Sequence, residues 1–319
     1  METVAVKKRD VAIDFVKILA TLLVLNSHMG ICYGSHSAFA TGGGIGDALF
    51  FFVSGFTLFL GRKMNFVDWY KRRLGRIYPA VIAVGLVACL IFSKDFSFVE
   101  IMSASKYWFL RCILVCYLVL YPVIRYECKI EWCIAASIAL MVVSYFFFDF
   151  DGHMFYGVNN YFRWIVYLSI MLIGGGICLK SDKIQYKWWA ILACVLCVIA
   201  WYEINYISKG GRLQLLSYIP LVGICVSLYQ ISKAPLIERL FERKIFGNLL
   251  FIIGNLCLES YLIQKYIFTD ALNWMFPLNI PVIMIAVLLS AYCLHILSKI
   301  ISQIFDSKPF DWMSLLLYK

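Results

Sequence analysis

The chain is dominated by apolar stretches that are long enough to cross a lipid bilayer as helices. Of its 319 residues, 62% are hydrophobic and only 15% are charged, whereas soluble domains are about half apolar and about a quarter charged. A helix of about 20 mainly apolar residues spans a bilayer. We therefore expect an all-α, polytopic transmembrane helix bundle of about ten spans, at residues 11–31, 45–61, 77–93, 107–125, 131–148, 163–179, 188–205, 213–231, 246–269 and 280–301.

The positive charges follow the topology of these spans. The net charge of +10 could indicate a nucleic-acid partner. With the N-terminus inside, however, 21 of the 29 Lys and Arg residues fall on the cytoplasmic side and five on the outer side. Cytoplasmic loops of membrane proteins carry such an excess. The excess of Lys and Arg on one side therefore predicts that both termini are cytoplasmic, and the net positive charge requires no nucleic-acid partner.

The spans leave little of the chain for other functions. The basic start is followed by a long apolar stretch that carries charges and lacks a small-residue cleavage site, so we expect the first helix to be retained. We interpret residues 1–319 as one integral-membrane domain without a soluble domain. The twelve cysteines are scattered, mostly in apolar spans, which is typical of small buried side chains, and we expect no metal site.

The first span carries three ionisable side chains, Asp14, Lys17 and His28. Charges are costly at membrane depth and are there a functional-site hypothesis by default. At about 100° per residue, Lys17 and His28 lie within about 20° of one another and about 16 Å apart along the axis, with Asp14 and Thr21 on the same face. This face must line a polar cavity or pack against polar groups. Alternatively, Asp14 and Lys17 pair at the helix entrance and reach the interface, which explains His28 poorly.

Two later segments carry further candidate residues. In the second span, the small pair Ser54-Gly55 either opens a polar notch towards a substrate or serves close helix packing. Before the third span, Arg73 and Arg76 lie one turn apart and would share a helix face. Their planar guanidinium groups suit bidentate binding of phosphate, although an arginine cluster is also a common cytoplasmic anchor.

Together, these segments resemble the acyltransferase type 3 family. The family pattern has a basic residue followed after ten residues by a histidine, then an aromatic pair before Ser-Gly-Phe, and then R-x-x-R before a proline. The matching positions are Lys17, His28, Phe51, Phe52, Ser54, Gly55, Phe56, Arg73, Arg76 and Pro79. The resemblance implies a polytopic enzyme of the plasma or bacterial inner membrane. Such an enzyme moves an acyl group, usually acetyl, from acyl-CoA to sugars of cell-surface or lipid-linked polysaccharides.

The later spans extend the resemblance and add charged residues at membrane depth. Arg111 lies near the start of the fourth span, Arg163 at the start of the sixth, and Glu259 in the middle of the ninth. A charged group at this depth needs a partner or a ligand, so we take all three, with Ser54, as candidate substrate-binding residues.

Other polar positions are less specific. Gln264 stands where many members of the family have a histidine. His295, among Leu and Ile in the tenth span, is expected to be a structural histidine. The polar and aromatic stretch 149–163 suits a sugar, but it equally suits an ordinary solvated loop.

The resemblance and the charged first helix lead to one mechanistic hypothesis. Because histidine titrates near neutral pH, His28 would act as the general base, or as the nucleophile if an acyl-enzyme forms. Lys17 would hold the donor or compensate Asp14, and Asp14 would orient Lys17. The resemblance implies that Arg73 and Arg76 handle the acyl-CoA, whose phosphates they would bind at the cytoplasmic face. An extended donor would then reach His28, about 25 Å from the inner boundary, through a polar channel.

Two other classes of protein share some of these sequence features. A multi-span transporter of a small anion or sugar would also contain many spans with buried charges, although the sequence shows no pair of related halves. A purely structural membrane protein leaves the coexistence of the two motifs unexplained.

Overall fold

The computed structural model describes residues 10–61, 64–94, 97, 99–100, 106–147, 161–209, 211–305 and 309–317. The expected all-α class is confirmed, because these residues form helices and turns and contain no strand. The α-helices are α1 (Val11–His28), α2 (Gly30–Tyr33), α3 (Gly43–Phe59), α4 (Phe66–Leu90), α5 (Trp108–Arg125), α6 (Ile130–Tyr145), α7 (Phe162–Leu179), α8 (Trp189–Ser208), α9 (Tyr218–Ile231), α10 (Pro235–Glu242), α11 (Lys244–Asn255), α12 (Cys257–Ile267) and α13 (Asn279–Ile304).

Within the described residues, seven helical segments are long and apolar enough to cross a membrane: α1, α4, α5, α7, α8, Arg212–Ile231 and α13. The number rises to nine if two bent pairs each form one span, namely Gly30–Phe39 with α3, and α11 with α12. Helix α6 is apolar but shorter. The chain is therefore a multi-pass membrane protein, while the total of ten spans and the cytoplasmic termini stay predictions.

The third span begins earlier than the sequence indicated. Helix α4 runs without interruption from Phe66 to Leu90, with Pro79 inside it. Asn65 caps its first turn, because its side-chain oxygen accepts a hydrogen bond of 2.9 Å from the backbone nitrogen of Asp68. The polar N-terminal half of the helix therefore continues directly into the apolar half. Arg73 and Arg76 lie on this helix, one turn apart, as their spacing indicated.

The ninth span is broken, whereas the sequence predicted one continuous stretch over 246–269. Helices α11 and α12 meet at Leu256 with a bend of 74°. Backbone groups freed by a break at membrane depth must find partners inside the protein. The Cys257 thiol is bonded to the Gly254 carbonyl at 3.2 Å, and the Asn255 amide donates to the Phe251 carbonyl at 2.6 Å. The break lies beside α1, since Gly254 faces Ile18.

Helix α3 is held between α1 and α7 by close backbone contact. A Cβ atom on Gly55 would overlap the backbone of Met171, and a Cβ atom on Gly174 would overlap the backbone of Phe52. Small residues allow helices to approach in this way in lipid. The rings of Phe51 and Tyr167 stack above this contact with centroids 4.5 Å apart. Gly55 therefore serves packing, one of the two roles that the sequence left open for the Ser54-Gly55 pair.

This contact predicts a large difference between two glycines of one helix. We expect Gly174→Ala to lower the free energy of unfolding by about 1–3 kcal/mol or more, because the added methyl group meets backbone that cannot rotate away. Gly176→Ala is the matched control, since its methyl group would lie 3.4 Å from the nearest atom, the Cδ1 of Ile134. Thermal unfolding in detergent measures both. Equal melting temperatures would contradict the close α3–α7 contact.

Candidate active site

The polar face of α1 is directed towards α12. Asp14 is only 4% exposed, and its carboxylate oxygen lies 3.4 Å from the Lys17 ammonium nitrogen. Thr21 donates a hydrogen bond of 2.9 Å to the Lys17 carbonyl, which the Cys257 thiol also approaches, at 3.9 Å. The i,i+3 pair that the sequence allowed is therefore present, but its carboxylate is buried in the bundle instead of reaching the interface.

His28, at the C-terminal end of α1, is an exposed side chain held by a buried one. Its Nδ1 atom lies 3.1 Å from the side-chain nitrogen of Gln264. Gln264 is on α12 and is only 4% exposed. The sequence could not place these two residues together, because they are 236 positions apart in the chain. The polar face of α1 therefore meets α12 near both of its ends, at Lys17 and at His28.

A cavity of about 170 Å³ lies between α3, α4, α5 and α12. Most of its wall is apolar, and five polar side chains also reach it. Tyr261 is one turn before Gln264 on α12, so one end of the cavity lies close below the His28 contact. His28 itself is not a lining residue. The cavity is lined by Asp47, Phe50, Ser54, Ile77, Phe109, Leu110, Ile113, Tyr117, Cys257, Leu258 and Tyr261.

The opposite end of the cavity approaches the arginine pair. Ser54 and Tyr117 are hydrogen-bonded to one another, and the charges of Arg73 and Arg76 act on the Tyr117 hydroxyl. The guanidinium of Arg73 lies 5.1 Å from the ring centroid of Trp69. Its Nε atom is buried and has no hydrogen-bond partner among the described residues. Arg76 is exposed, so this pair offers both a half-buried and an open guanidinium.

The two ends of this arrangement are well separated. Gly43, at the start of α3, faces the Ser27 hydroxyl of α1, which places the start of α3 level with His28. Ser54 is eleven residues further along α3, or about 16 Å along the helix axis. Arg73 therefore lies towards the opposite end of the bundle from His28, with the cavity between them.

Three further candidates lie outside the cavity wall. Arg163 is 2% exposed, and its guanidinium lies 3.3 Å from the ring centroid of Trp108. The carboxylate of Glu259 bonds to Nδ1 of His295 at 2.9 Å, with both side chains buried. Arg111 is half-buried, and its Nε atom has no partner in the described part of the chain. Most of the polar stretch 149–163, namely 149–160, lies outside the described residues.

Three polar residues of the cavity wall were not predicted from the sequence to belong to the site: Asp47, Cys257 and Tyr261. Asp47 carried a usable signal, because it is an acidic residue four positions into an apolar helix, and the rule that selected Glu259 applies to it equally. Cys257 and Tyr261 carried none, since thiols and phenols are common in helix interiors. Within the described residues no group of three His, Cys, Asp or Glu side chains could hold a metal ion.

Comparison with known proteins gives a match to one family. The model of the type 3 acyltransferase family, described as an acyltransferase domain, matches residues 10–299. The matched segment contains every candidate site residue named above. Neither the curated proteins nor the solved structures contain a match to the chain.

The buried pair of Glu259 and His295 generates a stability prediction. His295→Leu should lower the free energy of unfolding by about 3–5 kcal/mol, because it leaves a buried carboxyl group without its partner. The double variant Glu259→Leu/His295→Leu should recover much of this loss, since it removes both polar groups. His36→Leu, at an exposed histidine, is the control and should change little. Thermal unfolding of the wild type, the single variants His295→Leu and Glu259→Leu, the double variant and the control checks the pairing. A loss in the double variant equal to the sum of the two single losses would show that the two side chains do not act as a pair.

Proposed function

The chain belongs to the type 3 acyltransferase family, and we propose that it transfers an acyl group, most simply acetyl, from acyl-CoA to a sugar hydroxyl. The acceptor in this proposal is a cell-surface or lipid-linked polysaccharide, and the membrane is the plasma or bacterial inner membrane. One observation carries the proposal. An exposed imidazole and an arginine pair lie towards opposite ends of the bundle, and a partly polar cavity lies between them.

The transfer requires a base near the acceptor hydroxyl. In our proposal Nε2 of His28 takes the hydroxyl proton as the oxygen attacks the thioester carbonyl carbon. The carbon–sulfur bond then breaks, and the proton leaves with the CoA thiolate. The exposed position of His28 leaves room for an acceptor that approaches from outside the bundle. Attack by the imidazole itself, through an acyl-histidine, uses the same position.

The donor in this proposal enters from the arginine end. Arg73 and Arg76 hold phosphates of CoA through charge-assisted hydrogen bonds. The Nε atom of Arg73, which has no partner within the described residues, supports such a ligand. The extended arm of CoA then follows the cavity past Ser54 and Tyr117. The cavity holds only part of that arm, so the thioester reaches beyond Tyr261 towards His28.

The remaining candidate residues take supporting roles. Asp14 fixes Lys17, whose ammonium supplies positive charge beside the path of the donor. Arg111, whose Nε has no partner in the part of the chain that the structure describes, is proposed to bind the acceptor. The contacts of Arg163 with Trp108 and of Glu259 with His295 favour roles in holding the framework, and direct substrate binding by these two residues stays an untested prediction.

A transporter of a small anion or sugar is the second candidate, and one observation favours it. Discontinuous helices such as α11–α12 are a recurrent feature of carriers, whose binding sites lie at the break. The two functions differ in a direct assay. The purified acyltransferase releases free CoA thiol from acetyl-CoA only when an acceptor sugar is present, whereas a carrier releases none.

The general base gives the first functional prediction. His28→Ala should lower kcat for acceptor-dependent CoA release by about 10²- to 10⁴-fold, the usual contribution of general acid–base catalysis. Thermal stability should be retained, because the side chain is exposed. His36→Ala, at another exposed histidine, is the control and should keep its activity. Full activity of His28→Ala would remove the mechanism.

The arginine pair gives the second functional prediction. Arg76→Ala should raise KM for acyl-CoA about tenfold or more, with a smaller change in kcat, because one charge-assisted phosphate contact is lost. Lys71→Ala is the matched control, since Lys71 is an exposed basic residue on the same helix and points about 140° away from Arg76. An unchanged KM in the Arg76 variant, or an equal rise in the Lys71 variant, would argue against a specific donor site.

A further inference from the structure

The contact between His28 and Gln264 bears on which ring nitrogen of the imidazole carries the hydrogen, as well as on the position of the ring. Nδ1 of the ring faces the Gln264 amide at 3.1 Å, so Nε2 is the nitrogen that a ligand from outside can reach. A neutral imidazole carries one hydrogen, on either Nδ1 or Nε2, and the nitrogen without it is the basic one. The partner of Nδ1 therefore decides whether Nε2 can accept a proton.

A side-chain amide can contact Nδ1 in two orientations that have the same outline and differ only in whether the nitrogen or the oxygen faces the ring. Its nitrogen can donate to Nδ1, which leaves the ring hydrogen on Nε2, or its oxygen can accept from Nδ1–H, which leaves Nε2 basic. The two orientations differ by a 180° rotation that exchanges oxygen and nitrogen. Only the second is compatible with proton transfer to Nε2.

The surroundings favour the second orientation. With the amide nitrogen against the ring, the Oε1 atom of Gln264 is buried and has no hydrogen-bond partner in the described part of the chain. The amide is uncharged, so it does not hold the ring in the doubly protonated form.

Ser260 provides a place for the other end of the amide. It lies one turn before Gln264 on α12 and therefore shares its face. Its hydroxyl is buried and has no partner among the described residues. In the second orientation, the serine oxygen is the acceptor on this face to which the Gln264 NH₂ group would donate.

We propose that Gln264 is a positioning residue for His28: its amide oxygen accepts from Nδ1–H and holds the neutral ring with its Nε2 lone pair towards the acceptor side. The inference rests on the proposed function, because it assigns the form in which His28 would act as the base. Ser260 in turn holds the amide, so that one row of hydrogen bonds runs from the interior of α12 to the reactive nitrogen.

The tautomer can be measured without any assay of activity. The chain contains four histidines, so nitrogen-15 NMR of histidine-labelled protein in lipid nanodiscs gives few signals, and the spectrum of His28→Ala identifies those of His28. We expect the wild type to carry its ring hydrogen on Nδ1 at neutral pH. Gln264→Met, which keeps the side-chain length but removes both hydrogen-bonding groups, should give a mixture of tautomers. A wild-type ring with its hydrogen on Nε2 would overturn the proposal, as would a tautomer unchanged in Gln264→Met.

Kinetics provide the second readout. Gln264→Met should lower kcat with KM for acyl-CoA unchanged, but by much less than the roughly 10⁴-fold effect of a wholly wrong tautomer in a serine protease triad, because a mixture of tautomers keeps a fraction of rings with a basic Nε2. Gln264→Glu should recover activity at higher pH, because its carboxylate accepts from Nδ1–H but stabilises the protonated ring and so moves the pH profile upwards. An unshifted pH profile in Gln264→Glu would count against the proposal. If no acceptor supports CoA release by the wild type, the acyltransferase function fails, and the NMR result still decides the tautomer.

Discussion

The break between α11 and α12 is the constraint on which the rest of the site depends. A helix interrupted at membrane depth exposes carbonyl and amide groups that lipid cannot satisfy, so the break must be enclosed by protein. Here it lies against α1, with Gly254 close to Ile18 and the Cys257 thiol bonded to the Gly254 carbonyl. The same bend of 74° sets the direction of α12. As a result, Gln264 meets His28 while Tyr261, one turn earlier, reaches the cavity.

The polar groups inside the bundle fall into two classes. Some have found partners in the protein, as in the pairs Asp14–Lys17 and Glu259–His295. Others have buried atoms without a hydrogen-bond partner among the residues that the structure describes, in particular Arg73, Gln264 and Ser260. Leaving a buried polar atom unpaired costs about 1–3 kcal/mol. At the arginine end of the cavity a bound phosphate would supply the missing partner of Arg73, whereas in our proposal Gln264 finds its partner in His28 and Ser260 finds its partner in Gln264.

The sequence predicted the parts of this structure that depend on local periodicity. Helical pitch placed Lys17 and His28 on one face, and both do meet the same neighbouring helix. It could not predict the break at Leu256, because an isolated glycine and asparagine in an apolar run are compatible with a continuous helix. Nor could it find the partners of His28 and Glu259, since both contacts join helices distant in the chain. Asp47 was overlooked, although an acidic residue at membrane depth is a functional-site candidate in the same way as Glu259. Its placement in a cavity became visible only once α3, α4, α5 and α12 were assembled.

The separation of the two ends explains why such a site suits the proposed reaction. The start of α3 is level with His28, and Ser54 lies about 16 Å along the helix from that level. A highly charged donor cannot cross lipid, but a thin, weakly polar arm can enter a partly apolar cavity while its phosphates stay with the arginines. The reactive carbonyl then leaves the aqueous phase on one side and meets an acceptor on the other. In this arrangement His28 needs to be exposed to the acceptor and fixed by the protein, which is how Gln264 holds it.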